Sequence, residues 1–303
     1  MDKEAGTWSK VKSLATGIYR IWMGERPGPL AASLAYYGIF SIVPVTYVAV
    51  VISGIFVDAS SLIVQIEDRL EGLLGAEAVE QFTNAVEALA DSTIRGSALA
   101  SVISFIVLLF AASLIFFQFQ YVLNIVWKAP PPSRDETRSY IRNRLLAFAM
   151  VLSVGLILIL ATVANIIISL VSALAHLEGI LFLVNYLVYG SLLSLALALI
   201  YKYLPNVEVA WRDVWVGSVV TTVLMIVALQ LAGLLLSVNR FDTALQAAGS
   251  VALFLVSFYF FGTIFIFGAV FIRVYATIFG SQAKQLEESE ITEEDKADPP
   301  ITI

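Results

Sequence analysis

The sequence predicts an all-α, polytopic membrane protein with six transmembrane helices, an N-terminal amphipathic interfacial helix, and two short outer-side helices between spans 1 and 2. Three observations predict this class. Hydrophobic residues make up 59% of the 303-residue chain and charged residues only 14%, whereas soluble domains usually carry about 25% charged residues. Six uncharged runs are each long enough to cross a bilayer. Basic residues concentrate in every second segment between those runs, so that most of them lie on one side of the membrane.

The six uncharged runs occupy residues 27–57, 97–127, 145–175, 179–201, 214–239 and 243–272. The sequence places the spans near residues 30–57, 97–127, 145–174, 180–201, 214–237 and 250–279. Several runs reach about 30 residues, which is longer than the hydrocarbon layer requires, so these helices tilt or project beyond it. We therefore expect residues 1–280 to form a single integral-membrane domain.

The distribution of basic residues predicts that both termini are cytoplasmic. With six spans, 15 of the 18 Lys and Arg residues fall on the side that holds the two termini. Basic residues concentrate in cytoplasmic loops, so this bias predicts the orientation. The first 28 residues lack an apolar core followed by a small-residue cleavage site, so no cleaved signal peptide is expected.

The segment before span 1 has an apolar stripe at helical spacing, which predicts the amphipathic helix. Its aromatic and basic residues favour a position in the inner membrane interface; the alternative is packing against cytoplasmic loops. The stripe consists of Trp8, Val11, Leu14, Ile18 and either Ile21 or Trp22.

The polar segments after spans 1 and 6 differ in character. Residues 60–90 read as two short helices, each with one apolar stripe, which cap the bundle or form a gate or docking surface. Residues 281–303 are acidic, contain few large apolar side chains and include Pro-Pro, so we expect a disordered cytoplasmic tail.

The composition excludes several kinds of site. The chain has no cysteine and one histidine, His176, so disulfides, thiolate metal sites and multi-histidine metal sites are excluded. No cofactor, metal site or catalytic residue is expected. No nucleic-acid partner is expected either, because the chain lacks the concentrated positive charge that phosphate binding needs.

The six uncharged runs contain polar side chains but no Asp, Glu, Lys, Arg or His. They therefore lack the usual signature of proton and sodium pumps, and an arginine-ladder voltage sensor is excluded. Pro44 in span 1 predicts a hinge, or a kink that serves packing alone. The other polar residues predict either a polar translocation path or interhelical hydrogen bonds; these are Tyr36, Tyr37, Ser41, Gln118, Gln120 and Asn124.

Two inner segments carry further candidate residues. The basic loop at 128–144 predicts contacts with anionic lipid headgroups, although it also serves to orient the chain; its candidates are Arg134, Arg138, Arg142 and Arg144. The segment between spans 4 and 5 predicts an inner-loop latch that fixes two loops together, with a substrate site as the alternative. The latch residues are Pro205, Asn206, Arg212 and Asp213.

Several stretches resemble the YihY/BrkB family: LAYYGIFSIVPV at 34–45, YKYLPNVEVAWRDVWVGSVVT at 201–221, AAGSVALFL at 247–255 and FGAVFIRVYA at 267–276. The resemblance implies a bacterial inner-membrane protein with six spans, cytoplasmic termini and no settled biochemical role. The family is often labelled ribonuclease BN. This sequence argues against that label, because metal-dependent RNA hydrolysis needs clustered carboxylates or histidines.

These features favour a transporter, or a lipid- or amphiphile-handling protein of unknown substrate, without a chemical step of its own. Membrane lipids with anionic headgroups are the expected partners, and a homo-oligomer is left open. The main alternative is a non-transporting envelope scaffold that docks a partner through residues 60–90. A channel is a third alternative, but the spans contain no charged ring.

Overall fold

The structure is a computed structural model that describes residues 2–53, 79–80, 83–86, 88, 98–129, 136–175, 178–238 and 246–281. The predicted all-α class is confirmed, since these residues form long helices and no β-strand. Within this described part, six helices, α2 to α7, are long and apolar enough to cross a membrane. The helices are α1 (Asp2–Glu25), α2 (Pro27–Ser53), α3 (Ala98–Val126), α4 (Glu136–Ala175), α5 (Glu178–Tyr203), α6 (Trp211–Val238) and α7 (Gln246–Ile278).

Local sequence explains where several helices begin and end. Arg26 adopts a φ of 48° between α1 and α2, and Pro27 then starts α2, where its missing N–H leaves no donor unpaired. Lys128 adopts a φ of 49° just after α3. The backbone N–H groups of Lys128 and Ala129 donate to carbonyls in the last turn of α3, which forms a Schellman-type end.

Helix α4 differs most from its predicted span. It begins at Glu136 rather than near residue 145, and it has 40 residues. The uncharged run predicts only the part of a helix that needs an apolar solvent. Hydrogen bonding along the backbone continues through the preceding charged turns, so Arg142 and Arg144 belong to the same rigid helix as the span.

The helices pack around α2, which contacts α3, α4 and α7. Helix α6 lies between α5 and α7, α4 contacts both α3 and α5, and α1 packs along α7. Apolar side chains with no solvent exposure fill the interior, which is typical of a closely packed core. They include Val48, Val122, Leu123, Val151, Val214 and Ile266.

Helix α1 forms over the predicted amphipathic stripe. Leu14, Ile18, Ile21 and Trp22 pack against the buried core, whereas Trp8 is 75% exposed. The second half of the stripe is thus covered by protein and the first half faces outward. The placement of α1 in the membrane interface stays a prediction.

The outer segment is described only in part. Val79 and Val86 are buried, and Val86 joins the core of the bundle. Both lie within residues 60–90, where the sequence predicts two short helices with one apolar stripe each. The first predicted outer helix and residues 282–303 of the tail lie outside the described residues.

Candidate functional site

Polar side chains on α3 hold it against α2. Gln118 is buried, and its Nε2 donates to Ser33 Oγ at 2.7 Å. Ser33 Oγ in turn donates to the Leu30 carbonyl at 2.7 Å. Nearer the middle of both helices, Ser41 Oγ donates to the Ala111 carbonyl at 3.3 Å. Two of the residues predicted for a polar path, Ser41 and Gln118, therefore make interhelical hydrogen bonds.

The other two α3 amides hold the loop between α5 and α6. Gln120, 4% exposed, donates from Nε2 to the Leu204 carbonyl at 2.9 Å. Asn124 accepts the backbone N–H of Asn206 on Oδ1 at 2.8 Å. These amides satisfy backbone groups of a loop at the end of a helix, where such groups lack helical partners.

The structure separates the predicted tyrosines from these amides. Tyr36 and Tyr37 are exposed and contact each other edge to face, with ring centroids 5.5 Å apart. Tyr36 also contacts the ring of Phe40, which is exposed. Pro44 is half-buried inside α2, which continues through it. The four predicted path residues other than the tyrosines thus make hydrogen bonds to another helix or to the α5–α6 loop. The two tyrosines lie on the exposed surface of the bundle.

The inner-loop latch residues fall into two groups. Pro205 is buried, and Asn206 accepts a hydrogen bond from Arg142 Nη2 on Oδ1 at 3.2 Å. Asn206 therefore connects α3, the α5–α6 loop and α4. Asp213 lies elsewhere, fully buried in the first turn of α6, whereas Arg212 is exposed.

Asp213 fastens the end of α7. Its Oδ2 accepts the backbone N–H of Ser281 at 3.1 Å and the Ser281 hydroxyl at 2.7 Å. A carboxylate in the first turn of a helix is also favoured by the helix dipole. The carboxylate joins the start of α6 to the chain just after α7.

Two of the predicted lipid-contacting arginines have described side chains. Arg134 and the Arg138 side chain lie outside the described residues. Arg142 is exposed near the Asn206 loop. Arg144 lies instead against the middle of α3: its guanidinium is 3.4 Å from the Phe110 ring centroid, and its Nη2 donates to the Phe110 carbonyl at 3.2 Å.

The Arg144 contact has an energetic consequence. An arginine at the centre of a bilayer costs about 2.5–3.5 kcal/mol on insertion scales. A desolvated cation–π contact returns about 2 kcal/mol, and the carbonyl hydrogen bond adds to it. The Phe148 ring lies 5.5 Å from the same guanidinium. The surroundings of Arg144 are thus suited to a charge inside the span.

Several side-chain contacts of the structure are absent from the sequence-based prediction. Arg273 Nη1 donates to the Val126 carbonyl at the end of α3, and Lys202 Nζ donates to the Val209 carbonyl. The sequence marks both only as basic residues on the inner side. Phe110 carries no sequence signal, because it is one of many phenylalanines in an apolar run. In the described part of the chain, no group of three or more His, Asp or Glu residues is placed to hold a metal ion.

Comparison with known proteins gives two similarities. The family model described as virulence factor BrkB matches residues 22–292. A UPF0761 membrane protein of Rhodospirillum centenum is 26% identical over 241 residues, which cover 79% of this chain and 52% of that protein. The chain thus spans about half the length of this curated relative. No solved structure matches the chain.

Proposed function

Because this chain belongs to the virulence factor BrkB family and is a membrane protein with six candidate spans, we propose that it moves an anionic amphiphile between the leaflets of the bacterial inner membrane. The tails stay in lipid, and the charged head follows the lipid-facing surface of α3 and α4. No chemical step is involved, so the protein is not an enzyme. Both termini are cytoplasmic, as the distribution of basic residues predicts.

The observation that carries this proposal is the use of polar groups inside the bundle. Gln118, Gln120, Asn124 and Ser41 each make a hydrogen bond to another helix or to the α5–α6 loop. Fully buried apolar side chains surround them. A small hydrophilic solute that crossed the interior would need polar groups such as these to replace its water. A substrate that keeps its tails in lipid has no such need.

The outer surface of α3 and α4 fits such a substrate. Val107 and Leu145 are 59% and 61% exposed and present apolar side chains to lipid tails. Arg142 is exposed at one end of this surface. Each basic residue near an anionic membrane surface attracts such lipids by about 1 kcal/mol. An anionic head is therefore favoured over a cationic one at this entrance.

The test uses the full chain reconstituted into phosphatidylcholine vesicles with a trace of fluorescent NBD-phosphatidylglycerol. External dithionite bleaches only probe in the outer leaflet, so continued loss of fluorescence reports movement from the inner leaflet. We expect protein-dependent loss for NBD-phosphatidylglycerol and slower loss for NBD-phosphatidylcholine. Arg142→Gln should slow the former. Protein vesicles that bleach no further than empty ones would refute the proposal.

The alternative scaffold function uses the outer segment, and the described residues there support a cap. Val79 and Val86 are buried, and Val86 joins the core of the bundle, while Glu80 and Asn84 are exposed. Glu80→Lys together with Asn84→Lys leaves the buried face intact. If this variant no longer replaces the wild-type protein in cells that lack it, but moves lipid normally in vesicles, the scaffold function would be favoured.

A further inference from the structure

Exposed basic side chains from several helices lie at one end of the bundle. Together they are called the basic end, and they are Arg26, Lys128, Arg142 and Arg212. Contacts between helix ends bring them together. Lys128, just after α3, lies 3.8 Å from Glu25 at the end of α1. Asn206 in the α5–α6 loop joins Arg142 to Asn124 in the last turns of α3. The basic end thus combines residues of α1, α3, α4 and the start of α6.

Carboxylates offset only part of this positive charge. Glu25 is paired with Lys128, whose side chain is 70% exposed, and an ion pair in contact with solvent contributes little. Glu208 is exposed in the α5–α6 loop, whereas Asp213 is fully buried. The side chain to which Arg142 bonds is a neutral amide. Among the described side chains at this end, positive charge is therefore in excess.

The tail that follows α7 carries the opposite charge. Residues 282–303 contain seven acidic residues and two lysines, a net charge of −5. All seven acidic residues lie between Glu287 and Asp298. Runs of like charge in a sequence often serve as interaction segments. The tail is therefore complementary in charge to the basic end.

Asp213 determines where this tail leaves the bundle. Its carboxylate accepts both the backbone N–H and the hydroxyl of Ser281, and it directly follows Arg212 in the chain. Asp213 is seven residues from Asn206, so their Cα atoms are at most about 25 Å apart. The Arg142 guanidinium bonds to Asn206. The acidic residues lie 6 to 17 residues beyond Ser281, a reach of up to about 20–60 Å. They can therefore contact both Arg212 and Arg142.

We infer that residues 287–298 bind the basic end and compete there with anionic lipid headgroups. A tethered segment meets its binding surface at an effective concentration on the order of millimolar. A carboxylate paired with Arg142 neutralises the charge that attracts a lipid phosphate at the proposed entrance. The competition rests on the proposed function for its effect on lipid movement, whereas the contact between the tail and the basic end does not.

The first test measures this contact without transport. The chain has no cysteine, so spin labels can be attached at Thr292→Cys in the tail and at Gly24→Cys near Arg26. A Cβ at position 24 meets no atom within 4 Å. Double electron–electron resonance gives the distance between the labels for the full chain in phosphatidylcholine membranes. The measurement is made at about 0.15 M and about 1 M NaCl, between which the Debye length falls from about 8 to about 3 Å.

We expect the distances between the labels to become longer at the higher salt concentration, because the attraction is screened. A neutral tail, in which the seven acidic residues become Gln or Asn, should give the longer distances at both salt concentrations. A tail with the same residues in permuted order around position 292 is the matched control, and it should behave like the wild-type tail. Equal distances for the wild-type and neutral tails would overturn the inference.

The second test measures the competition. Electron paramagnetic resonance reports the association of spin-labelled phosphatidylglycerol with the unlabelled chain. The neutral tail should increase this association by up to about fivefold, the gain for one freed basic residue. In a chain that also carries Arg142→Gln, the increase should be smaller. An association that is the same with wild-type and neutral tails would overturn the competition.

The two tests separate the tail contact from the proposed function. A tail distance that responds to salt and charge, without protein-dependent lipid movement, would refute the proposed function and leave the tail contact standing. Lipid movement by a chain whose tail distance responds to neither salt nor charge would do the reverse.

Discussion

The contact between α6 and α7 gives a sharp prediction for Gly217→Ala. A Cβ at position 217 would lie 1.9 Å from Ile272 Cγ1 and 3.3 Å from Ile272 Cβ. Carbon atoms in contact are normally about 3.5–4.0 Å apart. Ile272 is fully buried and branched at Cβ, so its side chain has little rotational freedom to move away. The two helices must therefore separate.

The expected loss follows from two opposing terms. Overpacking of a well-packed core costs about 1–3 kcal/mol, and an approach as close as 1.9 Å belongs to the upper part of that range, about 2–3 kcal/mol. Alanine is favoured over glycine inside a helix by about 1 kcal/mol, which offsets part of that cost. We therefore expect Gly217→Ala to lower the free energy of unfolding by about 1–2 kcal/mol.

The assay is SDS-induced unfolding of the purified chain in mixed micelles, followed by tryptophan fluorescence. Gly190→Ala on α5 is the matched control, because its new Cβ would meet the nearest atom, Ile226 Cδ1, at an ordinary 3.7 Å. This control should be neutral or stabilising. In a chain that already carries Ile272→Ala, Gly217→Ala should lower the free energy of unfolding by less than it does in the wild-type chain, because the atoms that clash are gone. A Gly217→Ala chain as stable as wild type would refute the reasoning.

Two further predictions use the same unfolding titration, and a third uses amide hydrogen exchange. Gln120→Leu should lower the free energy of unfolding by about 1–2 kcal/mol, because it leaves a loop carbonyl without its donor. The folded variant should still move lipid. Lost lipid movement at normal stability would contradict this prediction. Asn124→Leu should lower the free energy of unfolding by about 1–3 kcal/mol, because it leaves the Asn206 N–H unpaired. Arg212→Ala, at an exposed position, should change it by less than about 0.5 kcal/mol. A larger loss for Arg212→Ala than for Asn124→Leu would contradict this prediction. Asp213→Ala should speed amide hydrogen exchange at the end of α7, and unchanged exchange would count against its fastening role.

The sequence was sufficient to predict the six spans, because each must present an uncharged surface long enough to match the hydrocarbon. The same criterion is insensitive to how far a helix continues into charged surroundings. Helix α4 therefore begins at Glu136 rather than near residue 145. The helical stripe before span 1 likewise predicts α1, but it does not distinguish lipid from α7 as the surface that α1 covers.

The candidate site was predictable in kind but not in pairing. Amides inside an apolar helix must find partners, so the importance of Gln120 and Asn124 follows from the sequence. Their partners are backbone groups of a loop about 80 residues away, at Leu204 and Asn206, and no local pattern encodes such a contact. The depth of Arg144 depends on the offset between α3 and α4, which is equally invisible in either helix alone.

The central claim is that the interior of the bundle is closed and that the substrate moves along its outer surface. The chain has no cysteine, so single cysteines can be compared on the same helix: Ala112→Cys at a fully buried position and Val107→Cys at a position 59% exposed. We predict that a water-soluble thiol reagent leaves Ala112→Cys unmodified, while a lipid-soluble maleimide modifies Val107→Cys and stops lipid movement. Rapid modification of Ala112→Cys from water, with lipid movement unaffected by the label at Val107→Cys, would contradict the account.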